Sequence, residues 1–377
     1  MTNSLLNNLP DVNFAEKDIA VIEAEVIARF EKKLGRKLYP GDPWRQVLLS
    51  YVYFLALQRS NIDFAGKQNL LRYAQDGFIQ HLAALVGTTQ LKARPAVTYL
   101  EFTLSITLPS VTTIPLGTRV TPGGSIFFAT IEVAEIPAGE LSVVVPAECL
   151  QAGNIGNGFM PGQVNRLVDT FPFNSTVVNT TLTQGGADIE EIEQFRERTR
   201  MAPESYSSAG PRGAYEYWAK TANQLIIDVS VKTPSPGVVE IIPLLRGGEI
   251  PEQSILDEVY DVCNDDTKRP LTDHVIVRKP EVVKYNLDVT YYISRSNASF
   301  GLSIQQRVPI AADEFILWQK SILGRDINPS MLNKILMKTG IKRTEIKEPV
   351  FTVLKYFELG VCDIEGINII YGGLEDD

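Results

Sequence analysis

The spacing of apolar residues changes from a helical period to a strand period near residue 96, and this change limits the fold most strongly. Before it, Ile19, Ile22, Val26 and Phe30 recur at three- and four-residue intervals, which places them on one helix face. After it, apolar residues alternate with mostly polar ones over residues 100–108, as in a half-buried strand. With 377 residues, the chain is too long for one ordinary core. A multidomain α+β protein is therefore predicted.

Turn-forming residues divide the chain further. Clusters of proline and glycine separate short strand patterns after residue 96, and a helical pattern returns near residue 189. We predict a helical, bundle-forming region (residues 1–95), a small antiparallel β-domain with a glycine-rich loop (96–184), connecting helices (185–224) and two successive α+β modules (225–281 and 282–377). In the β-domain, further strands are expected at 126–129, 131–136 and 141–145.

The helix that begins near residue 43 is unusually apolar. Asp42 is suited to cap it, Pro43 fits its first turn, and apolar residues then occupy nearly every side over residues 47–57. A helix that is apolar all round needs cover on all sides. Either other parts of this chain enclose it, or it packs against other chains. The candidate interface residues are Trp44, Val47, Leu48, Val52 and Leu55.

Charge and composition argue against several functions. The chain has 36 Lys and Arg against 45 Asp and Glu, for a formal net charge of -9, whereas a nucleic-acid binder needs a basic surface. The most apolar window, residues 47–57, has about half the length that spans a bilayer, so no membrane insertion is expected. The three cysteines lie far apart and form no CxxC pair, which argues against a metal site and suits folding in a reducing cytosol. No cofactor is predicted.

An acidic cluster near residue 190 has two interpretations. It could hold a metal ion or supply acid–base groups, or it could begin a helix. The second interpretation predicts a helix over residues 189–200 that Asp188 caps, with Glu191 completing a capping box. Arg196 and Arg198 then lie near the helix end, where positive charge complements the helix dipole. We favour the helix.

The last hundred residues carry mixed signals. We predict a helix over residues 303–321, with Pro309 either in its first turns or kinking it. Strands are predicted at 353–359 and 367–371. Another helix is predicted from Asn328 and Pro329 to about Lys338. Lys342 and Arg343, just beyond it, are interpreted as solvated charges at a helix end.

Short motifs in the middle of the chain occur in an order that resembles one known family. The glycine and proline pieces predict turns, and none of the pieces is arranged for chemistry. In order, they are Ile114-Pro-Leu-Gly-Thr118, Ala152-Gly-Asn-Ile-Gly-Asn157, Gly185-Gly-Ala-Asp-Ile-Glu190, Phe195-Arg-Glu-Arg198, Gly210-Pro-Arg-Gly-Ala-Tyr215, Asp228-Val-Ser-Val231, Pro236-Gly-Val-Val-Glu-Ile241 and Arg269-Pro-Leu-Thr272. This set resembles the baseplate J-like proteins of contractile phage tails and related particles. Its structural signature residues here are Gly117, Gly153, Gly156, Asn157, Gly186, Asp188, Arg196, Arg198, Gly213 and Gly237.

The resemblance implies a structural role. In that family the protein is a wedge subunit around the central tail hub. Its helical part bundles with other wedge chains, and its C-terminal domains link neighbouring wedges into a ring that widens when the sheath contracts. The implied partners are other wedge proteins, further copies of the chain, the tail hub and sheath-proximal proteins. The implied location is the tail baseplate of a virion or phage-tail-like particle, reached after folding in the host cytoplasm.

Enzymatic alternatives have little support in the residues. The two histidines, His81 and His274, lie in different modules, so a Ser-His-Asp or Cys-His arrangement has few ways to form. A glycan hydrolase needs two carboxylates, and Glu101, Glu132, Asp188 and Glu190 are available. The three tryptophans, however, all fall in helical patterns rather than in a sugar-binding cleft. A non-enzymatic scaffold is predicted, and a receptor- or sugar-binding role through the β-domain is the alternative.

Overall fold

The computed structural model describes residues 5–173, 175–206 and 210–376. It is a mixed α+β structure, which confirms the predicted fold class. The chain forms two compact units. The helical unit comprises Met1–Thr89 and Ile192–Tyr206, and the mixed unit comprises Gln90–Glu191 and Ser207–Asp377.

Among its described residues, the helical unit has four α-helices: α1 (Ile19–Leu34), α2 (Pro43–Lys67), α3 (Asp76–Leu85) and α4 (Ile192–Met201). The predicted start of α2 is confirmed, because Asp42 Oδ1 accepts a hydrogen bond from Trp44 N at 3.0 Å and Pro43 is the first helical residue. Helix α4 returns to this unit from far along the chain. Its Phe195 packs against Ala74, Ile79 and Ala83, so α3 and α4 share a small core.

A nearly closed antiparallel sheet forms the first part of the mixed unit. Eight strands build the domain, which we call the barrel: β1 (Pro95–Leu104), β2 (Thr112–Ile114), β3 (Arg119–Gly123), β4 (Ile126–Thr130), β5 (Ala134–Ile136), β6 (Ser142–Ala152), β7 (Arg166–Leu167) and β8 (Ser175–Asn179). Six of them are hydrogen-bonded in the order β7-β3-β4-β6-β1-β8, and β2 pairs with β5. The predicted strand at 131–136 is shorter than expected, because only β5 pairs.

The alternation along β1 fills the barrel core. Leu100, Phe102 and Leu104 are buried and share a core with Phe128 of β4 and Val145 of β6. The predicted alternation continued to residue 108, but β1 ends at Leu104 and the next apolar position is largely exposed. One face of β1 therefore supplies the centre of this core.

The first α+β module follows the barrel and contains two helices and three strands. They are α5 (Arg212–Ala222), β9 (Ile226–Lys232), β10 (Val238–Leu245), α6 (Gln253–Cys263) and β11 (His274–Val277). Strand β10 is central, antiparallel to β9 and parallel to β11. Helix α6 buries Ile255, Leu256, Val259 and Cys263 along one stripe.

The second α+β module also has a three-stranded sheet with a central strand. Its elements are β12 (Glu281–Ser294), α7 (Gly301–Gln319), α8 (Pro329–Met337), β13 (Arg343–Glu348) and β14 (Glu358–Glu375). Strand β12 pairs with β13 antiparallel and with β14 parallel. Pro309 lies well inside α7, beyond its first turns.

Two predictions for this module are wrong. A strand was expected at 353–359, but Thr352 forms only an isolated bridge with Ile327, and the long strand β14 begins at Glu358. Arg343 is not a solvated charge at a helix end. It begins β13, and its Nε donates to Glu375 Oε2 at 2.9 Å, so it ties β13 to the end of β14.

The two modules share apolar and polar contacts. Ile242 and Leu244 from β10 pack with Leu323 and Leu359 of the second module. Beside this core, Tyr356 Oη donates to Glu240 Oε2 at 2.8 Å. Within the described ranges, every helix is too short or too polar to cross a bilayer.

Candidate functional site

Most of the surface of α2 that the sequence singled out is exposed. Val52 is buried, but Trp44, Val47 and Leu55 are 55%, 50% and 39% exposed, and Leu48 is half-buried. The interpretation that other parts of this chain enclose the helix is therefore wrong for the described residues. The alternative, that other chains cover it, stays a prediction.

Further apolar side chains extend the exposed surface of α2. A contiguous helix surface of this size and chemistry is a feature of protein interfaces. Besides the predicted residues, its large exposed apolar side chains are Tyr51, Tyr53, Phe54, Leu57, Ile62 and Phe64. We call the exposed apolar residues of α2 the α2 surface.

The contact between α1 and α2 is small. Ile22, Val52 and Ala56 form its buried core, and Val26 packs at the edge. Ion pairs frame it: Arg45 lies 2.7 Å from Glu23, and a second pair joins Arg59 to Glu25 at 3.6 Å. Burial of a few side chains stabilises a two-helix hairpin only weakly, at about 1.5–3 kcal/mol for each fully buried one.

The segment before α1 is fastened to α2 by Asp63. Its Oδ2 lies 2.7 Å from Lys17 Nζ and 2.8 Å from Lys67 Nζ, and its Oδ1 accepts from Phe14 N at 2.9 Å. These hydrogen bonds hold the pKa of the Asp63 carboxyl well below its usual range. Gly66 leaves the space that the Phe14 ring occupies, since a Cβ there would lie 2.5 Å from the ring.

Asp188 has a different role from the predicted one. Helix α4 begins at Ile192, and Asp188 Oδ1 instead accepts from Asn154 N at 3.0 Å, thirty-four residues earlier in the chain. Next to it, Asn157 Nδ2 donates to Gly186 O at 2.7 Å, and Asn157 Oδ1 accepts from Gly186 N at 2.9 Å. These bonds join the glycine-rich loop to the segment before α4. The capping-box prediction is therefore wrong.

Glu190 and the two signature arginines also bind backbone groups. Glu190 is buried, and its Oε2 accepts from Leu91 N at 3.0 Å. Arg196 and Arg198 are also buried: Arg196 donates to Leu71 O, and Arg198 donates to Thr89 O. Buried charges are tolerated when they are hydrogen-bonded. The arginines thus fasten α4 within the helical unit, in addition to any effect on the helix dipole.

The remaining signature residues sit at turns and close contacts. Gly117 and Gly237 both have φ +79°, a left-handed conformation that glycine adopts without strain. At Gly156 a Cβ would lie 2.8 Å from Cys149 Cβ, and Gly153 has φ +120°. Gly213 lies in the first turn of α5.

Groups suited to catalysis are dispersed. His81 lies on α3, and His274 begins β11. All three cysteines are buried, and burial raises the pKa of the Cys263 thiol to about 12, which disfavours the reactive thiolate. In the part of the chain that the structure describes, no three His, Cys, Asp or Glu side chains could together hold a metal ion.

The carboxylates considered for glycan hydrolysis come from three different segments of the chain. Glu101 lies on β1, and Glu132 follows β4. Asp188 and Glu190 accept hydrogen bonds from backbone N–H groups, as described above. Asp188 and Glu190 thus have structural partners.

The barrel also carries a groove at one end, with a volume of about 670 Å³. Leu104 and Leu108 contribute apolar surface, and Thr112 and Thr113 contribute hydroxyls. Phe171 and Phe173 stack beside it, with ring centroids 4.9 Å apart and planes 7° apart. A groove with aromatic and hydroxyl side chains can bind a small apolar or sugar-like group.

Comparison with known proteins identifies the barrel and the first module. The family model for the baseplate J-like protein barrel domain matches residues 100–186, and the model for the baseplate J-like central domain matches residues 207–279. Baseplate protein J of Escherichia phage P2 is 28% identical over 177 residues, which are 47% of this chain and 58% of that protein. The chain thus matches a little over half the length of this relative.

In its barrel and its first α+β module, the chain is thus similar to the barrel and central domains of baseplate J-like proteins. Among solved structures, the baseplate of the anti-feeding prophage contains a similar chain, at 13% identity and a TM-score of 0.45, covering 92% of this chain and 90% of that one.

Proposed function

We propose that the chain is a non-enzymatic structural wedge component of a contractile-tail baseplate. In this role it assembles with other wedge proteins and further copies of itself around the central hub. It also contacts the tail hub and sheath-proximal proteins, within a virion or a phage-tail-like particle. The matches to the two baseplate J-like domains support the baseplate assignment, and the α2 surface supports an assembly role.

The exposure of α2 carries this proposal. Its apolar residues lie outside a core of only three buried apolar side chains, Ile22, Val52 and Ala56. Cover by partner helices stabilises such a surface by about 25 cal/mol for each Å² removed from water. In the proposed assembly, the exposed side chains of Trp44 and Leu55 become buried, and large apolar side chains contribute most where a contact excludes water.

The five predicted segments have separate proposed roles. We propose that residues 1–95 bundle with partner chains and that residues 185–224 connect this region to the modules. The barrel and the modules at 225–281 and 282–377 then present surfaces to neighbouring wedges. Because these modules share the core around Leu244 and Leu359, they move together in this proposal.

Charge substitutions on α2 test the assembly role. Leu55→Asp or Leu48→Asp, co-expressed with the remaining baseplate proteins of the same particle, is expected to give no wedge complex on a density gradient. An aspartate buried in an apolar contact costs several kcal/mol. Leu85→Asp is the matched control, because Leu85 is 80% exposed at the end of α3. Normal co-assembly of both α2 variants would contradict the proposal, provided that circular dichroism shows that all variants are folded.

A receptor- or sugar-binding role is the second candidate, supported by the barrel groove. Its stacked Phe171 and Phe173 rings offer a flat apolar face of the kind that binds sugars. Incubation with host cell-wall fragments separates the alternatives. Binding that Phe171→Ala abolishes supports the receptor role, release of reducing sugar supports a glycan hydrolase, and neither outcome is expected for a scaffold.

A further inference from the structure

Strand β11 has an open outer edge. It lies at one side of the sheet of the first module and, among the described residues, pairs with β10. His274 N and Arg278 N both donate hydrogen bonds toward the β10 side, at 2.7 Å and 3.1 Å. Because alternate residues of a strand bond to the same neighbour, the N–H and C=O groups of Val275 and Val277 point away from β10. This edge therefore offers a short row of backbone donors and acceptors to an added strand.

A groove of about 300 Å³ lies beside this edge, between α6 and β11. We call it the α6–β11 groove. Helix α6 contributes the apolar side chain of Leu256, the exposed ring of Tyr260 and the carboxylate of Asp257. Strand β11 contributes its four residues, from His274 to Val277. The groove thus combines apolar and aromatic surface with one acidic group.

The charge of Asp257 is available to a cation from another chain. Asp257 is exposed, and its Oδ1 accepts from the neutral Gln253 Nε2 at 2.8 Å. The next residue, Glu258, is by contrast paired with Arg94 at 2.7 Å. Asp261, one helical turn further along α6, is also exposed and adds negative charge. The groove is therefore complementary to a positive side chain.

Lysine and arginine fit this groove in length as well as in charge. Their aliphatic stems can lie on the apolar surface of Leu256 while the charged group reaches Asp257. The ring of Tyr260 also attracts a cation that lies over its face. In a strand added to β11, every second side chain faces α6, on the same side as Val275 and Val277. One basic residue in an extended segment can therefore enter the groove while the backbone pairs with the edge.

We propose that β11 and the α6–β11 groove bind an extended segment of a partner protein, which adds a strand to the sheet and directs a lysine or arginine at Asp257. Backbone hydrogen bonds with Val275 and Val277 supply affinity, and the groove supplies the preference for a cation. The contact is small and is expected to be weak for an isolated segment. It goes beyond the proposed wedge role, because it lies on the mixed unit and does not involve the α2 surface.

A synthetic peptide tests the preference for a cation. The probe is fluorescein-labelled Ser-Thr-Val-Lys-Val-Thr-Ser, in which the lysine and both threonines share one face of an extended strand. Fluorescence anisotropy with the full-length chain is expected to show binding, and replacement of the lysine by glutamate is expected to weaken it about tenfold. Asp257→Asn is expected to weaken binding of the lysine peptide about threefold to fivefold. Glu249→Gln removes the same charge at an exposed residue outside the groove and is the control.

A proline substitution tests the addition of a strand. Val277→Pro removes an outward N–H and leaves the bonds to β10, and edge strands accept proline where the missing N–H faces solvent. It is expected to weaken binding of the lysine peptide about fivefold. Val277→Thr keeps the N–H group and a β-branched side chain, so it should bind as the unchanged chain does. Circular dichroism checks that both variants are folded.

Hydrogen exchange locates the peptide without a substitution. With the lysine peptide at saturating concentration, the amides of Val275 and Val277 are expected to exchange more slowly than in the free chain. The amides of His274 and Arg278 are already hydrogen-bonded in the free chain, so they should change little. Residue-resolved mass spectrometry measures both pairs, and this comparison stands even if Val277→Pro does not fold.

The outcomes separate the two parts of the proposal. Absence of binding by the lysine peptide overturns it as a whole. Equal binding of the glutamate peptide, or equal effects of Asp257→Asn and Glu249→Gln, overturns the role of the cation. Binding that leaves the amides of Val275 and Val277 unprotected overturns strand addition. The co-assembly of α2 variants is measured independently, so a failure of the wedge proposal and a failure of this one are distinguishable.

Discussion

The α1–α2 hairpin and the barrel use apolar side chains in opposite ways. The barrel places Phe102 and Phe128 inside a core that two sides of the sheet enclose, whereas α2 leaves Trp44 and Leu55 exposed. Each arrangement follows from the number of elements available. A nearly closed sheet has an interior of its own, but two helices have only a line of contact. The barrel is therefore suited to fold on its own residues, and the hairpin is suited to receive another helix.

Core truncation should produce the largest difference between the two regions. Phe102→Ala removes a fully buried ring and is expected to lower the free energy of unfolding of the barrel by about 3–5 kcal/mol. Trp44→Ala removes a larger ring but one that is 55% exposed, so a change of about 0.5 kcal/mol is expected. Urea denaturation followed by near-ultraviolet circular dichroism measures both. Equal losses would contradict the contrast between the regions.

Two glycine substitutions separate the effect of a close contact in the barrel from the effect of backbone conformation. At Gly186 a Cβ would lie 2.8 Å from Asn157 Oδ1 and closer still to Gly153 O, so Gly186→Ala is expected to cost about 3 kcal/mol. Gly117→Ala has open space around the new Cβ and meets only the penalty of φ +79°, about 1 kcal/mol. Thermal unfolding of the two variants compares them. A larger loss for Gly117→Ala would show that the loop contact matters less than backbone conformation.

Acid should weaken the attachment of α2 to the segment before α1. Of the three predictions, this one has the smallest expected effect. The pKa of Asp63 is lower in the folded chain than in the unfolded one, where it is about 3.9. Its ion pairs therefore stabilise the fold above about pH 4, and this stability is lost as pH falls through the folded pKa. The protection of Phe14 N, which is its hydrogen-exchange rate compared with the intrinsic rate at the same pH, should fall in acid in the unchanged chain. In Asp63→Asn the protection of Phe14 N should already be low near neutral pH and should change less on acidification.

The sequence predicted best where local chemistry decides the structure. Asp42 and Pro43 begin α2 as expected, and the alternation at Leu100, Phe102 and Leu104 forms a strand with one buried face. The hydrogen-bond partner of Asp42 is Trp44 N, two residues away, and the alternation of apolar residues repeats along the whole of β1. The apolar character of α2 was also predicted from its own residues. The sequence did not indicate what covers its apolar sides.

The wrong predictions concern residues whose partners lie far along the chain. Asp188 has the spacing of a helix cap, but its partner is Asn154 N, and no local pattern distinguishes a nearby amide from a distant one. Arg343 looked like the end of a helix because Glu375, its partner, comes thirty-two residues later. Contacts of this kind depend on tertiary structure, so single-sequence reasoning had no signal for them.

The late position of α4 has a consequence for synthesis on the ribosome. Phe195 completes the small core with Ile79 and Ala83, yet α4 emerges about one hundred residues after α3. At roughly 5–20 residues per second, the nascent helical unit lacks this helix for about 5–20 s. During that interval the exposed apolar residues of α2 have already been synthesised. Folding of the helical unit is thus timed by translation of the barrel, and chaperones that bind apolar segments have their longest opportunity there.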